Sequence, residues 1–381
     1  MRVKAATKFA RVRALVGFAA FGSFWGTWGA SLPRVQLETG VSDAQLGVAL
    51  LWVGVGALLS IRWVGGLTDR VERWVLPVSI AALAAAGVVP AFVHGIVVLS
   101  AALLLLGVCA GGVDAAINAA AVRAESQGRL VVSLAHGMFS LAVVAGSLGV
   151  AALTRAGEGR AWALVVVGVA LMAAAVVTAT LSVPVARPTV LSDGPGFGWS
   201  WPLLILGALA AFAYLVENAW QSWGAIQLHA TIGASLQVAA LAPAVFALAA
   251  ASGRFGAHHL ASSISAAALF GVSAALAAAG SALAALGHTT AWVLAGIAVA
   301  GLGTSVCAPT LITLAGRARY GRQGAATSTV ITIAYLGFIL GPAAVGLVAG
   351  ASTLPTALIG VAAVALVLTI ASPLLTKLSA P

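Results

Sequence analysis

Between Ile96 and Val122 the chain carries one charged side chain, Asp114, in an otherwise almost wholly apolar stretch. Runs of this kind recur along the whole sequence, and they constrain the fold more than any motif does. Where water is excluded, backbone amides need partners, and a helix supplies them within the segment. About 20 apolar residues cross a bilayer core. A β-barrel is excluded, because barrel strands alternate apolar and polar residues in segments of about 10. A soluble fold is excluded too. Only 7% of the 381 residues are charged and 61% are hydrophobic, whereas soluble domains carry about 25% charged residues. The expected fold class is an all-α integral membrane protein.

The apolar runs predict twelve spans, at 10–31, 44–66, 74–93, 97–122, 131–154, 161–184, 201–227, 234–252, 261–286, 290–315, 325–349 and 355–375. Basic residues collect on the cytoplasmic side of membrane proteins. With the N-terminus inside, all of the 19 Lys and Arg except Arg34, Arg155 and Arg160 fall on the inner side. Both termini are therefore expected in the cytoplasm. The net charge of +10 reflects this topology and not nucleic-acid binding. The basic N-terminus followed by apolar residues has the outline of a signal peptide. Its length and the charge pattern favour an uncleaved first span. Cys109 and Cys307 both fall inside apolar runs and read as small hydrophobes. Two cysteines exclude a disulfide framework.

One connection differs from the tight turns. Residues 186–200, ARPTVLSDGPGFGWS, are polar and rich in Gly and Pro, the composition of a linker. They divide the chain into a six-helix bundle at 1–185 and another at 201–381. The halves share features. Trp28-Gly29-Ala30 ends the first span and Trp223-Gly224-Ala225 lies in the seventh, each followed by a loop glycine, Gly40 or Gly233. AGGVDAAIN in the fourth span is echoed weakly by AGLGTSVCA in the tenth at nearly the same spacing. Duplicated halves related by an axis along the membrane normal place a site at their interface near the midplane.

The loop after the second span reads Gly65-Gly66-Leu67-Thr68-Asp69-Arg70-Val71-Glu72-Arg73. It resembles the G-x-L-x-D-R-x-G-R signature of the major facilitator superfamily, with Glu72 where glycine is usual. Asp69 and its arginines suit charge-assisted bonds to helix ends, a conformational latch formed by Gly65, Asp69, Arg70 and Arg73. The loop after span eight keeps Gly253-Arg254 without the acid, so Arg254 is a candidate for a helix-end contact. Trp28 to Pro33, Ser42 to Gly47, Asp114 to Asn118, His136-Gly137 and Glu217 with Trp223 resemble one branch of that superfamily. It is the branch of bacterial permeases typified by the inner-membrane protein YbjJ and related to the fucose permease. The resemblance implies a twelve-helix fold in two six-helix halves, a multi-pass protein of the cell membrane, and alternating access.

Ionisable groups inside a span cost about 2.5–3.5 kcal/mol on insertion scales and mark functional candidates. Asp114 and Asn118 stand four residues apart on one helix face. In the fucose permease an acid of the fourth span takes up the coupling proton, and Asp114 occupies a comparable place. That relative also uses an acid in its first span, where this chain has only Ser23, Thr27 and aromatics. His136, near the inner end of the fifth span, suits a proton relay. Glu217, Gln221 and Gly224 form one stripe of the seventh span with Trp220 beside it. With Trp25, Thr27 and Trp28 of the first span, Asn118, and Tyr335 of the eleventh, they compose a surface for a polar organic molecule. Helix glue is the alternative for the polar groups, and an interfacial belt is the alternative for the tryptophans.

The expected function is a secondary active transporter of a small polar solute, sugar-like or another metabolite, coupled to protons through Asp114, Glu217 or both, with His136 as a candidate relay. The competing expectation is a proton-driven exporter of amphipathic compounds. Span five lacks the Gly-Pro typical of drug antiporters, which favours the first. No HExxH, nucleophile–base pair or ATP-binding signature is present, so no enzyme activity, metal or cofactor is expected. The expected partners are the small-molecule substrate, protons and the lipid bilayer, with no nucleic acid, and a monomer is expected.

Overall fold

The computed structural model describes residues 2–68, 72–125, 131–157, 160–181, 200–260, 263–317 and 323–378, which are helical with no strand among them. Twelve long helices follow in order. They are α1 (Arg2–Thr39), α2 (Asp43–Thr68), α3 (Glu72–Val88), α4 (Ile96–Glu125), α5 (Val132–Arg155) and α6 (Arg160–Thr180), then α7 (Trp201–Ile226), α8 (Ala242–Leu260), α9 (Ala266–Leu286), α10 (Thr290–Arg317), α11 (Gln323–Ala351) and α12 (Leu354–Leu378). A π-helical turn (Gln227–Thr231) and a four-residue helix (Leu236–Ala239) separate α7 from α8. Among the described residues, 11 helices are long and apolar enough to cross a membrane. The exception is α1, which is the longest and the least apolar. It begins eight residues before the expected span, so its basic residues continue the helix. The expected linker lies outside the described residues apart from Ser200.

The chain forms two compact units. The first holds Met1–Ser42, Val48–Val190 and Leu236–Ala244; the second holds Asp43–Gly47, Leu191–Ser235 and Val245–Pro381. Relative to a division at 186–200, two short segments change sides: the first turn of α2 and the start of the eighth span.

In the first unit α1 packs on α4, α5 and α6, and α3 packs on α4 and α6. In the second α7 packs on α10, α11 and α12, and α9 packs on α10 and α12. Adding six to each helix number converts one set of pairs into the other. The two loop glycines repeat as well. Gly40 and Gly233 hold φ of 67° and 73°, a left-handed conformation that glycine adopts without penalty. Each donates its N–H to the carbonyl four residues back, Gln36 or His229, at 3.1 Å, closing its helix as a C-cap does.

Small residues allow the helices of each unit to approach backbone to backbone. Gly22 and Gly26 of α1 lie against the carbonyls of Phe139 and Val143 on α5. Gly337 of α11 lies against the carbonyl of Ala211 on α7.

Two of the prolines inside helices show how a further problem is met. A helical proline has no N–H and leaves the carbonyl four residues earlier without its partner. Pro77 of α3 frees the Arg73 carbonyl, and the buried Arg13 of α1 donates to it from Nη2 at 2.8 Å. Pro342 of α11 frees the Phe338 carbonyl, and Asn218 of α7 donates to it from Nδ2. The interruption of the helix at Ala240-Leu241 is covered similarly. Ser147 of α5, fully buried, donates to the Ala240 carbonyl at 2.5 Å and accepts from the Ala244 N–H at 3.2 Å. Asn218→Leu removes one such donor and keeps the side-chain size. It is expected to lower stability by about 1–3 kcal/mol, the cost of an unsatisfied buried group, read as the thermal midpoint of the detergent-solubilised protein.

Candidate functional site

In the first unit, Asp114 sits half-buried midway along α4. The amide of Asn118, one turn on, donates to Asp114 Oδ1 at 3.0 Å and to the Asp114 carbonyl at 2.9 Å. The predicted i, i+4 pair is therefore a hydrogen-bonded pair. His136 is exposed on α5, with its ring edge-on to Phe18 at 4.9 Å between centroids. Trp25 is half-buried and meets Phe21 and Phe24 edge-on, at 5.9 and 5.5 Å. Thr27 and Trp28 are buried, 4% and 3% exposed. Thr27 lies against Gly146 of α5, so its hydroxyl belongs to the α1–α5 contact in this structure.

In the second unit Glu217 is the centre of a three-residue cluster. Gln221 donates from Nε2 to Glu217 Oε1 at 3.2 Å. Arg254 of α8 brings Nη2 to within 3.7 Å of the same oxygen. The Glu217 side chain is 15% exposed and that of Arg254 46%. The amide follows from the i, i+4 spacing, whereas Arg254 was expected at a helix end, because the path of the turn between α7 and α8 is not given by the residue pattern.

Trp220 requires a correction of its environment. It was expected beside the polar stripe, as part of the surface for a polar organic molecule. It is 1% exposed, and its indole Nε1 donates to Ser281 of α9 at 2.8 Å. Trp223, wholly buried, donates from Nε1 to the Pro342 carbonyl at 3.1 Å. Both rings tie α7 to its neighbours within the unit. Tyr335 is half-buried on α11, its ring 6.3 Å from that of Phe338.

Of the latch residues, Asp69 and Arg70 lie outside the described residues, and Gly65 falls in the last turns of α2. Arg73 opens α3. Its guanidinium lies 5.1 Å from the Trp74 ring centroid and its carbonyl receives Arg13. Arg13 itself was counted only as a topology charge. Pro77, four residues after Arg73, is the signal that a carbonyl there needs a donor. No group of three or more His, Cys, Asp or Glu placed to hold a metal ion occurs among the described residues.

Each unit thus carries one carboxyl group within a span, bound to a carboxamide one helical turn away. A twelve-helix membrane chain with duplicated units and such groups belongs to the class of membrane carriers. Residues 14–317 match the model of the Major Facilitator Superfamily, and the chain belongs to that family. It is 30% identical over 356 residues to an uncharacterized transporter, y4wD, of Sinorhizobium fredii, with 89% of this chain and 90% of that one covered. It is 28% identical over 359 residues to an uncharacterized MFS-type transporter of Yersinia pestis, covering 91% of each. Its fold resembles a point mutant of the nucleoside transporter NupG (TM-score 0.80, 14% identity, 96% and 99% covered). It also resembles an inward-facing, unoccupied bacterial homolog of the human lysosomal transporter Spinster (TM-score 0.76, 16% identity, 98% and 97% covered).

Proposed function

We propose that the protein is a proton-coupled secondary transporter of a small polar solute, sugar-like or another metabolite, working by alternating access as a monomer in the cell membrane with both termini cytoplasmic. The observation that carries this reading is the pair of intramembrane carboxyl–carboxamide clusters, Asp114 with Asn118 and Glu217 with Gln221. A carboxyl group inside a span is costly, and structural cohesion alone is met here by neutral donors such as Asn218 and Ser147. A carboxyl also does what those groups do not: it gains and loses a proton, and with it a charge. Asp114 and Glu217 are the proposed proton-coupling groups and His136 a proton relay. Glu217, Gln221, Asn118, Trp25 and Tyr335 are the proposed cargo contacts. Asp69, Arg70 and Arg73 are the proposed latch. The sequence likeness to the permease branch related to the fucose permease supports a sugar-like cargo.

The test starts from the purified protein. A thermal-shift screen against a metabolite library identifies a cargo, and proteoliposomes loaded at one pH are then diluted into a more acidic buffer. Entry of the cargo together with protons is the expected result. Expulsion of cargo against proton entry would instead establish the exporter, and indifference to the gradient would remove proton coupling.

A further inference from the structure

Arg254 stands on the wall of a cavity of about 660 Å3 within the second unit. His258 of α8, Ser265 at the start of α9, and Ser305, Thr310 and Thr313 of α10 line it as well. The three hydroxyls of α10 already bond to carbonyls of their own helix, Leu302, Val306 and Pro309. Among the described residues, no carboxylate lines it. Recognition in this space therefore falls to Arg254, with His258 beside it. A guanidinium carries five N–H donors in a planar fork. The approach to Glu217 is a single one at 3.7 Å, longer than a hydrogen bond, and nearly half of the side chain stays exposed. Glu217 supplies a counter-charge and leaves the fork open to a second one.

We infer that this cavity receives the anionic group, a carboxylate or a phosphate, of the molecule the protein carries, and that Glu217 competes with that group for Arg254. The inference rests on the transport reading above and narrows it to anionic cargo. While Glu217 is ionised, Arg254 is neutralised within the unit. When Glu217 takes a proton, the guanidinium keeps its charge, and a planar carboxylate or a phosphate fits its fork in two-point contact. No covalent bond changes. One proton arrives on a Glu217 oxygen and one negative charge arrives beside Arg254, so the unit's charge is unchanged. The other titratable groups on the elements around α7 are Tyr214 on α7, His229 in the π turn, and His258 and His259 on α8. To these add Cys307 and Arg317 on α10, Tyr335 on α11 and Lys377 on α12. α9 contributes none.

The test uses the purified full-length protein without a gradient. Arg254 is labelled with phenylglyoxal and the labelled peptide quantified by mass spectrometry. Acetate or inorganic phosphate is expected to slow labelling, with acetamide, the neutral counterpart of acetate, giving no protection. In Glu217→Gln the anion needed for half-protection is expected to fall about tenfold, the size of an ordinary coupling between two ligands of one group. Its dependence on pH is expected to flatten relative to the wild type. Labelling unmoved by either anion would overturn the site, and equal protection in the wild type and Glu217→Gln would overturn the competition. Protection that appears only with phosphatidylglycerol vesicles would assign the site to a lipid headgroup and overturn the cargo assignment. Because no gradient is applied, failure here is separate from failure of the proteoliposome assay, which tests transport itself.

Discussion

Asp114→Asn is expected to abolish proton-driven accumulation of cargo while leaving cargo exchange across the membrane intact. The two side chains have nearly the same shape. The Asn118 amide can still donate to the remaining side-chain oxygen and to the main-chain carbonyl one turn back, so the local helix face keeps its packing. What is lost is the ability to take up and release a proton. A transporter whose orientation is biased by that proton then loses the link between the pH gradient and net movement. Exchange of labelled for unlabelled cargo needs the site and its reorientation but no net proton flow, so it survives. The measurement compares gradient-driven uptake with counterflow in the same proteoliposomes. Driven uptake at the wild-type rate would remove Asp114 from the coupling role and leave it as a hydrogen-bonding group between helices. Loss of both activities would show that the substitution damages the carrier as a whole.

How much of this was legible beforehand depends on the length scale involved. The helices were legible because a membrane imposes one requirement on every residue of a span, and α4 shows it plainly from Ile96 onward. The first helix was read too short at its start because the basic residues Arg2, Lys4 and Lys8 stop the hydropathy signal without stopping the helix. The duplication was legible from Trp-Gly-Ala and from Gly40 and Gly233, and those glycines turn out to hold matching left-handed conformations. The carboxyl–carboxamide pairs were legible because i and i+4 share a helix face. Contacts between helices were not. An exposed indole and a buried one have the same letters around them, and only the position of Ser281 on α9 decides that Trp220 is held inside. Arg13 was read only as a topology charge and Arg254 only as a candidate helix-end contact. One completes a proline-broken helix and the other faces Glu217, and each depends on a partner 37 or more positions away in the chain, as Arg254 and Glu217 are.

Gly337→Ala is expected to be among the most damaging single-carbon additions in the molecule. A Cβ at this position would fall on the Ala211 main-chain carbonyl, with the Ala211 Cα and carbonyl carbon close behind. A clash with a flexible side chain is relieved by a rotamer change. A clash with main chain moves a helix, and α7 carries Glu217, Asn218 and both of the hydrogen-bonded tryptophans. The cost is expected at about 1–3 kcal/mol or more, the range for overpacking a close-packed interior, despite the helix propensity that alanine gains over glycine. Gly360→Ala provides the contrast, because nothing lies within 4 Å of a Cβ built there. There the propensity term acts alone, and stability is expected to hold or rise by up to about 1 kcal/mol. Thermal unfolding of the two variants in detergent, followed by tryptophan fluorescence, reads both. A second signature separates displacement of α7 from general destabilisation. Separating α11 from α7 also pulls the Phe338 and Pro342 carbonyls from Asn218 and Trp223, so the tryptophan emission of folded Gly337→Ala is expected to shift before unfolding begins. A variant as stable as the wild type, with unshifted emission, would mean that the two helices do not need their backbone contact.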